Sequence, residues 1–158
     1  MKERACSIVL RNNKILFVQQ NINGKTKNVF IGGGIENNEA PQEAALRELK
    51  EEANVEGEII FGPAIIEMKT KEYVFIVNIP DNVQPILGYD PELPLNKQDI
   101  KALIWLDAKK EKGLFNKFDC VYFQKVIDET KRMKVKIPCI TILENIILHN
   151  KTGEKNDS

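Results

Sequence analysis

Histidine is almost absent from this sequence: His149 is the only one, and it follows the apolar run Ile146, Ile147, Leu148 near the C-terminus. With no second imidazole to share a metal or a proton, histidine-based catalysis is not expected, and His149 reads as a packing residue. Cysteine is nearly as scarce. Cys6, Cys120 and Cys139 are odd in number, far apart and free of any C-x-x-C pair, a pattern that points away from zinc or dithiol chemistry and toward reduced packing residues. Net charge is missing as well. The 23 Lys plus Arg balance the 23 Asp plus Glu, so no overall field draws nucleic acid or an anionic membrane, and a polyanionic substrate needs a bound cation or a few placed Lys and Arg. No apolar run is long enough to span a bilayer, and no signal-type h-region follows the opening Met-Lys-Glu-Arg. A cytoplasmic protein without a membrane partner is expected.

What is present suits one globular domain. At 158 residues, 42% hydrophobic and 29% charged, the chain is expected to form a single domain over residues 1–150, with residues 151–158 as a disordered polar tail. Residues 5–10 and 14–20 are β-rich runs joined by an Asn-containing hairpin turn. A polar loop with Gly24, Lys25 and Lys27 then leads to a short run over 28–31 that ends in Gly32, Gly33 and Gly34, where close backbone approach is expected. Residues 41–53 read as a helix, with Pro41 at its first position, Ala45, Leu46 and Leu49 on one side, and Asn54 suited to a left-handed terminus. Strands follow over 58–66, 73–79 and 102–106. Residues 80–99 form a long proline-containing loop of the kind that is usually functional or disordered. Residues 115–133 read as a second helix with Phe118, Tyr122, Val126 and Glu129 in rough helical register, its aromatic stripe read as core and not as cofactor contact, and 137–148 is open between helix and strand.

The chemistry concentrates in residues 32–55. Glu48, Glu51 and Glu52 are three and four residues apart, so their carboxylates share one face of the 41–53 helix. Arg47 can reach Glu43 or Glu51, but one guanidinium cannot neutralise the group. Converging hard oxygens suit Mg²⁺ or Mn²⁺, which retain waters for a phosphate substrate. The three glycines let backbone reach the same place. On spacing alone, a solvated acidic helix face remains the alternative.

This stretch resembles the Nudix box, G-x5-E-x7-R-E-U-x-E-E-x-G-U with U aliphatic. Gly33, Glu39, Arg47, Glu48, Leu49, Glu51, Glu52 and Val55 fall at the required spacing, and Asn54 replaces the last glycine. Ile31 and Ala40 depart from less fixed positions, where proline and a Ser or Thr helix cap are common. The resemblance implies an α/β/α sandwich with a mixed sheet and a loop-helix-loop box. It implies metal binding by Glu48, Glu51 and Glu52 with a backbone carbonyl of Gly32 or Gly33, and substrate contact at Gly33 and Gly34. It implies orienting roles for Glu39 and Arg47, and attack of a metal-activated water on phosphorus. The general base stays open between a box glutamate and a loop acid, Asp90 or Glu92.

The resemblance further implies a Mg²⁺-dependent hydrolase, Mn²⁺ being an alternative, that cleaves a nucleoside triphosphate or a nucleoside diphosphate joined to another group, in the broad group of MutT and ADP-ribose hydrolases. A Nudix-fold nucleotide-binding or sensor module without turnover is the alternative. An RNA-end-processing role lacks the basic surface it needs, and a homodimer is left open. Phe30, Tyr73, Phe75 and Tyr89 are candidate stacking surfaces for a base, and Lys25 and Lys27 candidate phosphate contacts, although core or solvated roles suit each of them too.

Overall fold

The computed structural model describes residues 1–88 and 101–156, with backbone only for Ile22 and residues 152–156. Its strands are β1 (Lys2–Arg11), β2 (Lys14–Ile22), β3 (Lys25–Val29), β4 (Ile31–Gly34), β5 (Glu58–Glu67), β6 (Thr70–Asn78) and β7 (Lys101–Asp107), with helices α1 (Pro41–Ala53), α2 (Lys117–Met133) and α3 (Ile140–Asn156). The strands join in one mixed sheet in which β1 and β6 run parallel and the other pairs antiparallel.

The central strands are apolar at successive positions because both of their faces are covered. Ala5, Val9, Leu16, Val18 and Ile31 bury against Ala44, Ala45, Leu49 and Ala53 of α1. Cys6, Ile8, Ile15 and Phe17 bury on the opposite face with Phe123, Val126 and Ile127 of α2 and Leu143 and Ile146 of α3. The result is the expected α/β/α sandwich.

One edge of β1 is occupied by β6 along almost its whole length. Its other edge is shared, with Val9 to Arg11 pairing β2 and Arg4 to Ser7 pairing β4. β2 therefore diverges from β1, and the chain of β3 and β4 enters the fork. This places the three glycines beside the first half of β1. Gly32 has to be glycine there, since a β-carbon would fall 2.4 Å from the Ala5 carbonyl oxygen.

Several details depart from the sequence expectations. Lys25 and Lys27 lie on β3, paired with Ile22 and Gln20, because Asn23 and Gly24 take positive φ of 52° and 78° and close a two-residue hairpin. α2 begins at Lys117, two residues late, because Asn116 caps it: its side chain accepts from the Asp119 amide at 2.8 Å, while Asp119 accepts from the Asn116 amide at 2.9 Å. That start sets the helix register, so Phe118 is 69% exposed and the inward face is Phe123, Val126, Ile127 and Thr130. The undecided segment becomes α3, with Leu143, Ile146 and Ile147 inward at helical spacing, and its backbone stays helical through Asn156.

Candidate active site

α1 starts without a side-chain cap at Ala40, has Pro41 in its first turn and ends at Asn54 with φ 55° and ψ 34°, the left-handed terminus expected for the residue that replaces glycine. Arg47 organises the loop before the helix. Its Nε and Nη2 donate to Glu39 at 2.7 and 3.0 Å, Nη2 also donates to the Gly34 carbonyl at 3.0 Å, and Nη1 donates to Glu48 at 3.0 Å and Glu51 at 3.3 Å. Glu39 in turn accepts from the Glu36 amide at 3.0 Å. These bonds hold the Glu39 carboxyl below the usual carboxylate range, the Arg47 hydrogen bonds being the largest cause.

Glu48 and Glu52 turn inward. The Glu48 carboxylate lies over Gly33 so closely that a β-carbon there would fall 2.3 Å from Oε1. Burial raises the Glu48 pKa, with Arg47 opposing and Glu51 reinforcing the shift. Glu52 is pushed up to about 7, by burial first and then by the Glu48 charge, while Lys101, a backbone hydrogen bond with Gly32, and Arg4 act against the shift. Its Oε2 is buried and has no hydrogen-bond partner among the described residues. Two crowded carboxylates with an unpartnered buried oxygen fit a cation, whose charge removes both penalties. Glu51 does not join them: it is 58% exposed and paired with Arg47. Among the described residues, no three His, Cys, Asp or Glu side chains are grouped closely enough to hold a metal ion as they stand.

The last turn of α1 is strapped by residues 80–88. The amides of Ile86 and Gly88 donate to the carbonyls of Ala53 and Glu52 at 2.9 and 2.8 Å, and Asn54 Nδ2 donates to the Ile86 carbonyl at 2.7 Å. Arg11 holds the strap from β1 through the carbonyls of Pro80 and Val83. Asp90, Glu92 and Tyr89 lie outside the described residues. A cavity of about 590 Å³ between α2 and α3, lined by Phe115, Cys120, Val121 and Ile147 among others, contains no box residue and no acidic side chain. The acidic side chains of the box lie apart from that cavity.

The NUDIX domain family profile matches residues 1–118. The chain belongs to the Nudix family. It is a hydrolase of phosphorus-containing anhydrides, of the general kind that acts on small nucleotide derivatives, and Nudix hydrolases generally use divalent metal ions. Among solved structures, it is similar to a NUDIX hydrolase from Nitrosomonas europaea (19% identity, TM-score 0.58, covering 85% of this chain and 73% of that one). It is also similar to a MutT NUDIX hydrolase from Burkholderia pseudomallei (14%, 0.56, 79% and 97%). A third is an ADP-ribose pyrophosphatase from Streptococcus suis (17%, 0.51, 69% and 75%). At these identities the likeness is one of Nudix fold. No curated protein sequence matches the chain.

The stacking candidates are placed mainly in the core. Phe30 stacks on Phe17 at 4.9 Å and on Tyr122 at 5.3 Å, Phe75 is 2% exposed, and Tyr73 packs with the α1-side core beneath the Lys71 ammonium. Sequence reading passed over Arg4, Glu72 and Lys101. A signal for the first two exists: each occupies a core-facing position in a strand, two residues before Cys6 and Val74 respectively, where a charge is out of place unless paired.

Proposed function

We propose that this Nudix chain is a pyrophosphohydrolase for a nucleoside triphosphate or a nucleoside diphosphate linked to another moiety, dependent on Mg²⁺ with Mn²⁺ able to replace it. The observation that carries this reading is the Glu48 carboxylate above Gly33, with Glu52 one turn on and its Oε2 buried without a partner among the described residues. Glu48 and Glu52, with the Gly33 carbonyl, are the residues that would hold the cation, and Glu51, here turned outward to Arg47, would have to leave that pairing to join them. A cation bound there supplies charge neutralisation for phosphate oxygens and lowers the pKa of bound water.

The chain's own groups do the rest. Arg47 fixes Glu39 and the Gly34 carbonyl, so the glycine strand and the helix keep one geometry. Gly33 and Gly34 leave the backbone open to a phosphate, and nothing lies within 4 Å of a β-carbon built on Gly34. The proton of the attacking water is assigned to a box glutamate, Glu52, or to Asp90 or Glu92, which lie outside the described residues.

The test is a panel of nucleoside triphosphates, ADP-ribose, dinucleoside polyphosphates and coenzyme A with Mg²⁺, products being resolved by chromatography and phosphorus NMR. Release of a nucleoside monophosphate from at least one of them is expected. Binding of these compounds without turnover of any would overturn the reading in favour of a sensor module.

A further inference from the structure

Arg47 is fully engaged by the box, so it has no donor left for a substrate. Arg4 is differently placed. Its Nε donates to Glu72 Oε1 at 3.2 Å, and the same oxygen accepts from the Tyr122 hydroxyl at 3.4 Å. Glu72 is 8% exposed, and its Oε2 is buried without a partner among the described residues. Tyr122 is itself held by stacking on Phe30. A buried carboxylate and a stacked phenol therefore fix the root of the Arg4 guanidinium, while its side chain remains about one-third exposed.

Among the described residues, Arg4 makes no hydrogen bond through Nη1 or Nη2. Four N–H donors in a planar fork thus stay available. Arg4 is the strand partner of Gly34, the glycine with nothing within 4 Å of a β-carbon built on it.

We infer that Arg4, held from behind by Glu72 and Tyr122, binds a phosphate of the substrate beside Gly34. This rests on the pyrophosphohydrolase reading and adds the residue that reads the diphosphate. The geometry also explains why a charge sits on the core-facing side of β1. Arginine suits the task better than lysine because a fork can bond two phosphate oxygens at once.

The experiment titrates magnesium pyrophosphate into wild type, Arg4→Lys, Arg4→Gln and the double variant Arg4→Gln/Glu72→Gln by calorimetry, beside steady-state kinetics. The double variant leaves no unpaired buried carboxylate and so guards against misfolding of the single one. Arg4→Gln and the double variant are expected to bind pyrophosphate roughly 10–100-fold more weakly, the scale of one charge-assisted contact, with the loss falling on KM more than on kcat. Arg4→Lys should recover only part. Wild-type pyrophosphate affinity in either glutamine variant would overturn the inference and leave Arg4 a structural ion pair. Failure of the substrate panel is a separate result, since pyrophosphate binding is read without any nucleotide.

Discussion

The Glu48 carboxylate occupies the space where a side chain on Gly33 would begin, with Oε1 2.3 Å from the built β-carbon. Gly33→Ala must therefore move Glu48 or the strand. Because Glu48 is also held by Arg47 at 3.0 Å, the displacement reaches the whole acidic set. Turnover should fall by about 10²-fold, the usual cost of an ångström-scale misplacement, with circular dichroism unchanged. Full activity of a correctly folded Gly33→Ala protein would remove Glu48 from the site.

Glu52→Gln should separate stability from function. Neutralising a crowded carboxylate one turn from Glu48 removes repulsion worth roughly 0.2–0.5 kcal/mol per helix pair, so the metal-free melting temperature should stay level or rise. With Mg²⁺ the order should reverse, since a ligand of the folded state stabilises by mass action and the variant offers a weaker site. Equal Mg²⁺-induced shifts and equal turnover in both proteins would remove Glu52 from the metal site.

The amide variants Asp90→Asn and Glu92→Gln test the general base. If either carboxylate takes the proton from water, its variant should lose about 10²–10⁴-fold in kcat, the range for general-base catalysis, with little change in Mg²⁺ affinity. Near-wild-type rates in both would assign the step to the box.

Asp119, 3% exposed at the start of α2, is pushed up to about 6 by burial, against its hydrogen bond from the Asn116 amide. Its folded pKa lies above the unfolded value of roughly 3.9, so the folded state holds the proton more tightly. The stability this lends is fully present below about pH 4 and is lost as pH rises through about 6. Asp119→Asn keeps an acceptor for Asn116 but does not titrate. The stability of wild type relative to the variant should therefore decline between pH 4 and 7, by an amount on the order of 2 kcal/mol, as measured by urea denaturation at three pH values. Parallel pH profiles would show that Asp119 titrates normally.

Much of this architecture is legible in the sequence where local rules act alone. Pro41 and Asn54 mark the ends of α1 because fixed φ and left-handed tolerance are properties of single residues. The spacing of Glu48, Glu51 and Glu52 gives a shared helix face but not its rotation. Packing of Ala45, Leu49 and Ala53 decides that rotation, turning Glu48 and Glu52 inward, half-buried, and leaving Glu51 outside. Phe118 shows the same limit: an aromatic at helical spacing says nothing of register until the Asn116 cap sets where the helix begins. Pairing across long separations was the least visible part. Nothing local to Arg4 or Glu72 announces a partner 68 residues away, although their place on a core-facing strand position signals that each needs one.

The strap on α1 turns the amides of Ile86 and Gly88 into reporters. Each donates to a carbonyl in the last turn of the helix that carries Glu51 and Glu52, so neither can exchange its proton for deuterium unless that turn or the strap opens. Their exchange rates measure how often the acidic end of the box comes apart, in a protein free of substrate and metal alike. A cation that ties Glu48 and Glu52 together would then be seen twice: as slower exchange inside α1, and as slower exchange in a loop that holds no proposed ligand at Ile86 or Gly88.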